Sequence, residues 1–154
     1  MVSGMHRARG FTLIELLTVV MIAVILAAIG VPSFTRLMAG QRVKAAASNL
    51  QQALLVTRSE ALKRNADVAV LPKGGGQWSA GWTVVNPSSG AVLNTYPPAP
   101  SLTISGPASI TYASSGRISP GTESTFKIVG AATSDLRCVT INLTGMPSVR
   151  SSGC

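Results

Sequence analysis

With 154 residues, two cysteines, one histidine and 13 basic against 5 acidic side chains, the chain carries +8 at neutral pH. The length suits one domain with a modest core, and the charge suits a polyanionic partner, an anionic membrane surface or simple solubility. The composition argues against an enzyme: His6, the one imidazole, lies in the first ten residues, and Glu60, Asp67, Glu123 and Asp135 are scattered with no paired spacing, so general acid–base and metal-ligand sets are missing and no cofactor or metal is implied.

Met1 to Gly10 is short and basic, with Arg7 and Arg9. At Gly10-Phe11-Thr12-Leu13-Ile14-Glu15-Leu16 the sequence turns apolar and stays so through Val31, with 20 uncharged residues between Glu15 and Arg36. As a helix this run is about 30 Å long, the thickness of a bilayer's hydrocarbon core. It exceeds the apolar region of roughly 7–15 residues usual in a secretory signal peptide. Glu15 sits inside the apolar segment, where an unpaired carboxylate costs at least about 2.5–3.5 kcal/mol, so the sequence calls for a cationic partner.

Gly10-Phe11-Thr12-Leu13-Ile14-Glu15 resembles the cleavage and assembly motif of type IV pilins and type II secretion pseudopilins. The resemblance implies that a prepilin peptidase cuts between Gly10 and Phe11 and methylates the new amino terminus, and that Glu15 meets the amino-terminal cation of a neighbouring subunit. A protonated α-amine and a carboxylate side by side in low dielectric neutralise charges that neither carries well alone. Loss of Arg7 and Arg9 with the leader lowers the charge to +6. Flanking charge does not orient the segment, because His6, Arg7 and Arg9 lie on one side and Arg36, Arg42 and Lys44 on the other. The motif implies an inner-membrane anchor with a periplasmic head, and in that oxidising compartment Cys138 and Cys154 are expected to pair.

From Phe11 the helix is expected to reach about Asn65, with a bend at Gly30 and Pro32. Its second half is amphipathic: Val43, Ala46, Ala47, Leu50, Ala53, Leu54, Thr57 and Ala61 recur at steps of three and four, a stripe suited to packing on a sheet. Asn65-Ala66-Asp67 supplies the stop. Beyond it, β-prone runs at Val68–Leu71, Gly81–Val85, Ala91–Tyr96, Leu102–Ser105, Ser109–Ala113, Thr125–Val129 and Arg137–Leu143 alternate with turn clusters such as Asn86-Pro87-Ser88-Ser89-Gly90, Pro97-Pro98-Ala99-Pro100 and Ser119-Pro120-Gly121. Short connections favour antiparallel pairing. Gly74-Gly75-Gly76 reads as a turn, since no Gly-Lys-Ser/Thr follows to make a phosphate cradle.

Arg58-Ser59-Glu60-Ala61, Gln77-Trp78-Ser79-Ala80-Gly81-Trp82 and Tyr112-Ala113-Ser114-Ser115-Gly116 resemble landmarks of FimT/GspH-type minor pseudopilins. By residue type alone Trp78 and Trp82 read as core packing, and Arg58 and Glu60 as solvated helix charges. Some FimT-type proteins take up DNA through a terminal Gly-Arg-x-Arg motif. Here the corresponding stretch, Gly145-Met146-Pro147-Ser148-Val149-Arg150, keeps the glycine and one arginine at a different spacing. Arg117, Lys127, Arg137 and Arg150 are the candidate DNA-binding residues, provided the strands bring them together.

The expected architecture is α+β, a long N-terminal helix packed on an antiparallel sheet, divided as leader 1–10, membrane and assembly segment 11–35, and periplasmic head 36–154. The resemblance implies a minor pilin or pseudopilin that primes or caps a type IV pilus or secretion pseudopilus. Other pilins, the prepilin peptidase and the inner membrane are its partners, with the head at the tip and DNA uptake as the alternative role.

Overall fold

The computed structural model describes residues 11–119, 121–131 and 133–154. The leader, with Gly10 of the expected cleavage point, and Pro120 of the 119–121 turn lie outside the described residues.

Helix α1 spans Leu13–Arg64. Thr12 caps it: its hydroxyl accepts the Glu15 N–H at 3.3 Å, satisfying a donor that has no partner within the helix. The Thr12-x-x-Glu15 spacing is that of a capping box. At the other end Asn65 adopts φ 48°, where a short polar side chain is tolerated. The Asn65 N–H then donates to the Leu62 carbonyl at 3.4 Å and the Ala66 N–H to Ala61 at 3.2 Å, the paired bonds of a Schellman motif. The helix assignment is uninterrupted at Pro32, and the Thr35 hydroxyl donates to the Pro32 carbonyl at 2.9 Å.

Two compact units divide the chain, one ending at Thr35 and the other running Arg36–Cys154. In the first, the helix bears exposed apolar side chains, among them Met21 at 70% and Ile29 at 67% exposure. An 18-residue window of α1 has mean hydropathy 2.7 with no residue buried, long and apolar enough to cross a membrane.

In the second unit α1 buries Gly40, Val43, Ala46, Ala47, Leu50, Ala53, Leu54, Thr57 and Ala61, the expected stripe together with Gly40. Thr57 is satisfied locally, donating to the Ala53 carbonyl at 2.6 Å. Two antiparallel sheets share one core with this stripe. The first has the order β3-β2-β1-β5-β6, formed by β1 (Val68–Lys73), β2 (Gln77–Val85), β3 (Val92–Tyr96), β5 (Ile110–Tyr112) and β6 (Ile118–Ser119). The second has the order β4-β7-β8-β9, formed by β4 (Leu102–Ser105), β7 (Ser124–Gly130), β8 (Leu136–Ile141) and β9 (Pro147–Arg150). Trp78 joins them, meeting Phe126 edge-on at 4.8 Å and donating from its indole to the Pro107 carbonyl at 2.8 Å. Trp82 stacks on Tyr96 at 5.7 Å, so both tryptophans are core residues as their type suggests.

The strands depart from the sequence reading at several points. β2 starts at Gln77 rather than Gly81, because Gly81 is inside the strand at φ 92° and the Tyr96 carbonyl lies 2.6 Å from where a Cβ would be. The run through Leu143 ends at Ile141. β6 and β9 are additional; Pro147 looks like a breaker, yet it begins an edge strand, a place where a missing N–H is tolerated.

Candidate functional site

Three stretches far apart in sequence converge beside the helix. Arg58 donates from Nε to the buried Gly116 carbonyl at 2.9 Å and from Nη2 to the Thr144 carbonyl at 3.4 Å, and its Nη1 lies 3.4 Å from Met146 Sδ. Gly116 belongs to the turn between β5 and β6, whereas Thr144 and Met146 belong to the turn between β8 and β9. One guanidinium therefore ties a turn of each sheet to α1. The second turn is wound around Asn142, whose Oδ1 accepts the N–H groups of Thr144 at 3.1 Å and Met146 at 2.9 Å. Gly145 completes it at φ 83°, where a Cβ would collide with the Gly116 carbonyl and lie 3.0 Å from Tyr112 Cε1. Arg58 is thus a brace and not the solvated helix charge its type suggests.

Tyr112 lies under this junction, fully buried, and among the described residues its hydroxyl has no partner. Burial pushes its phenol far above the usual range, and the Arg58 charge draws it part of the way back. Glu60 does behave as a helix-surface charge: Arg64, donating at 2.7 Å, is the main influence holding its carboxyl below the ordinary range.

The four candidate DNA-binding cations do not form one patch. Lys127 pairs with Cys138 and Cys138 with Arg150, so Lys127 and Arg150 share one face of the second sheet, two strand spacings or about 10 Å apart. Arg137 is opposite the core residue Ile128 and so belongs to the other face, with Nη1 on the Leu136 carbonyl at 2.7 Å. Arg117 precedes β6 of the first sheet, its Nε at 3.5 Å from the Leu143 carbonyl. Cys138 and Cys154 form a disulfide, with Cα atoms 5.4 Å apart. It ties the chain end to the Lys127–Arg150 face.

The apolar segment offers different chemistry. Phe11 is 78% exposed and Glu15 is exposed in the first turn of α1. The capping role of Thr12 is legible as Thr-x-x-Glu but is easily overlooked beneath the processing motif that contains it.

The model of the GspH family, described as type II transport protein GspH, matches residues 46–145. The chain belongs to this family. The prokaryotic N-terminal methylation motif matches residues 5–31 of the same GspH-family chain. Among solved structures it is similar to the type IV minor pilin FimU of Pseudomonas aeruginosa, at 23% identity and TM-score 0.64, over 73% of this chain and 90% of that one. A second crystal form of FimU gives 24% identity and TM-score 0.63, over 70% and 91%. The minor pseudopilin EpsH from the type 2 secretion system of Vibrio cholerae matches at 17% identity and TM-score 0.57, over 73% and 99%. At these identities the likeness is one of fold. No curated protein matches the chain. The GspH-family chain thus joins an N-terminal methylation motif to a head with the fold of the minor pilin FimU and the minor pseudopilin EpsH.

Proposed function

We propose that this GspH-family chain is cut between Gly10 and Phe11, methylated at Phe11, held in the inner membrane by residues 11–35 with its head in the periplasm, and used to prime or cap a type IV pilus or secretion pseudopilus. The exposed apolar half of α1 carries this reading, because only lipid tails or similar helices cover such a surface at low cost. Leaving lipid for a filament exchanges one apolar environment for another. Glu15 then meets the Phe11 α-amine of a neighbour, a pairing that lowers the cost of the carboxylate in the helix bundle.

An intact-mass measurement on protein from a host with prepilin peptidase is expected to show a chain beginning at N-methylated Phe11. A chain beginning near Gly30, or retaining Met1, refutes the processing step. Glu15→Val should insert into membrane as well as the parent but enter filaments less. Equal incorporation refutes the charge pairing.

One observation favours DNA capture as a second reading, the shared face of Lys127 and Arg150. Two phosphate contacts supply little affinity, so we expect duplex binding at about 10⁻⁴ M or weaker at physiological salt. Arg150→Ala and Lys73→Ala should then lose similar amounts. Micromolar binding that collapses only on loss of Arg150 makes DNA capture the leading function.

A further inference from the structure

Arg58 and Arg117 reach the carbonyls of consecutive residues in the 142–146 turn: Arg117 Nε is 3.5 Å from Leu143 O and Arg58 Nη2 is 3.4 Å from Thr144 O. They are drawn together a second time, since Arg58 Nε holds the carbonyl of Gly116, the residue before Arg117. Two guanidinium groups are thus gathered around neutral acceptors. The ion pairs recorded among the described residues lie elsewhere, between Glu60 and its neighbours Lys63 and Arg64. Asn142 Oδ1 is occupied by the turn's own N–H and hydroxyl groups and does not offset the charge.

Each guanidinium has five N–H donors in a planar fork; the contacts made here use one N–H on each Arg58 nitrogen, leaving one on each of its terminal nitrogens, and leave both Arg117 terminal nitrogens unengaged. Arg117 is exposed and Arg58 half-buried, so a ligand approaches without opening the core. A carboxylate fills one guanidinium fork, whereas a tetrahedral oxyanion has oxygens enough for both and, at about −1.5 to −2 near neutral pH, approaches their combined charge.

We propose that Arg58 and Arg117 at the 142–146 turn form a binding site for a phosphate oxyanion. The site is separate from the Lys127–Arg150 face and independent of the assembly role.

The test uses the full chain in an uncharged detergent, with inorganic phosphate titrated against chloride at constant ionic strength while the arginine Nε–Hε resonances are followed by NMR. The Arg58 and Arg117 signals are expected to move together with one dissociation constant. Arg117→Gln, an exposed change that leaves the Arg58 brace intact, should weaken binding about tenfold or more, the loss of a charge-assisted donor pair. Lys73→Gln should titrate like the parent. A parallel arm with glycerol 3-phosphate distinguishes sources: tighter binding assigns the site to a phosphomonoester, weaker binding to free phosphate. Absence of coincident shifts, an Arg117→Gln titration equal to the parent's, or equal shifts with acetate would each overturn the proposal.

Discussion

Arg58→Met removes the guanidinium that joins two turns to the helix while keeping an apolar stem of similar length. The Gly116 carbonyl then loses its 2.9 Å charged donor in a buried position, and the Thr144 carbonyl loses a longer one at the surface. A charge-assisted bond contributes about 1.5–3 kcal/mol, and a buried acceptor left bare costs a similar amount that overlaps with it. The surface contact adds little. We therefore expect a loss of about 2–3 kcal/mol. For a head of this size, at about 4 °C per kcal/mol, Tm should fall by roughly 8–12 °C. The assay is thermal and urea unfolding of the full chain in uncharged detergent, with hydrogen exchange at residues 142–146 reporting whether the released turn opens locally. Arg117→Met, which loses one long contact at an exposed site, should change stability by less than about 0.5 kcal/mol. If the two variants behave alike, or Arg58→Met costs under about 0.5 kcal/mol, Arg58 is not a brace.

Gly145→Ala should cost at least about 2 kcal/mol in the urea midpoint, combining left-handed strain with collision against the Gly116 carbonyl; Gly153→Ala, at φ 78° with open space around it, should cost less. Tyr112→Phe should be neutral or stabilising by about 1 kcal/mol at pH 7, since it removes a buried hydroxyl that has no partner among the described residues. The folded chain keeps the Tyr112 proton at a pH where the unfolded chain loses it, so stability of the parent should fall above about pH 10, by up to about 1.4 kcal/mol per pH unit for this group. Unfolding curves between pH 8 and 11 should show that slope reduced in the phenylalanine variant, and an unchanged slope would remove Tyr112 from the account. Reducing the Cys138–Cys154 bond should cost about 3 kcal/mol on the chain-entropy model for a loop of about 15 residues, and thiol labelling of unfolded, unreduced protein should find no free thiol.

Local patterning alone determined the helix with its apolar and amphipathic halves, its stop at Asn65, the antiparallel strands that follow and the burial of Trp78 and Trp82. The helix, its stop and the strands rest on periodicity or turn chemistry within a few residues and the tryptophans on residue type, whereas the cysteine pairing was expected from the oxidising compartment that the family resemblance implies. The division of the strands into two sheets was not legible, because short antiparallel runs do not encode which edge they leave open. Nor was β9, since Pro147 carries the local signature of a breaker and its place at an edge depends on β8. The fate of the charges was likewise tertiary. Strand alternation sends Lys127 and Arg150 to one face and Arg137 to the other, and that parity depends on a register fixed only when β7, β8 and β9 pair. Arg58 is the clearest case: its partners lie 58, 86 and 88 residues further along the chain, so no window of sequence around it separates a brace from a solvated cation.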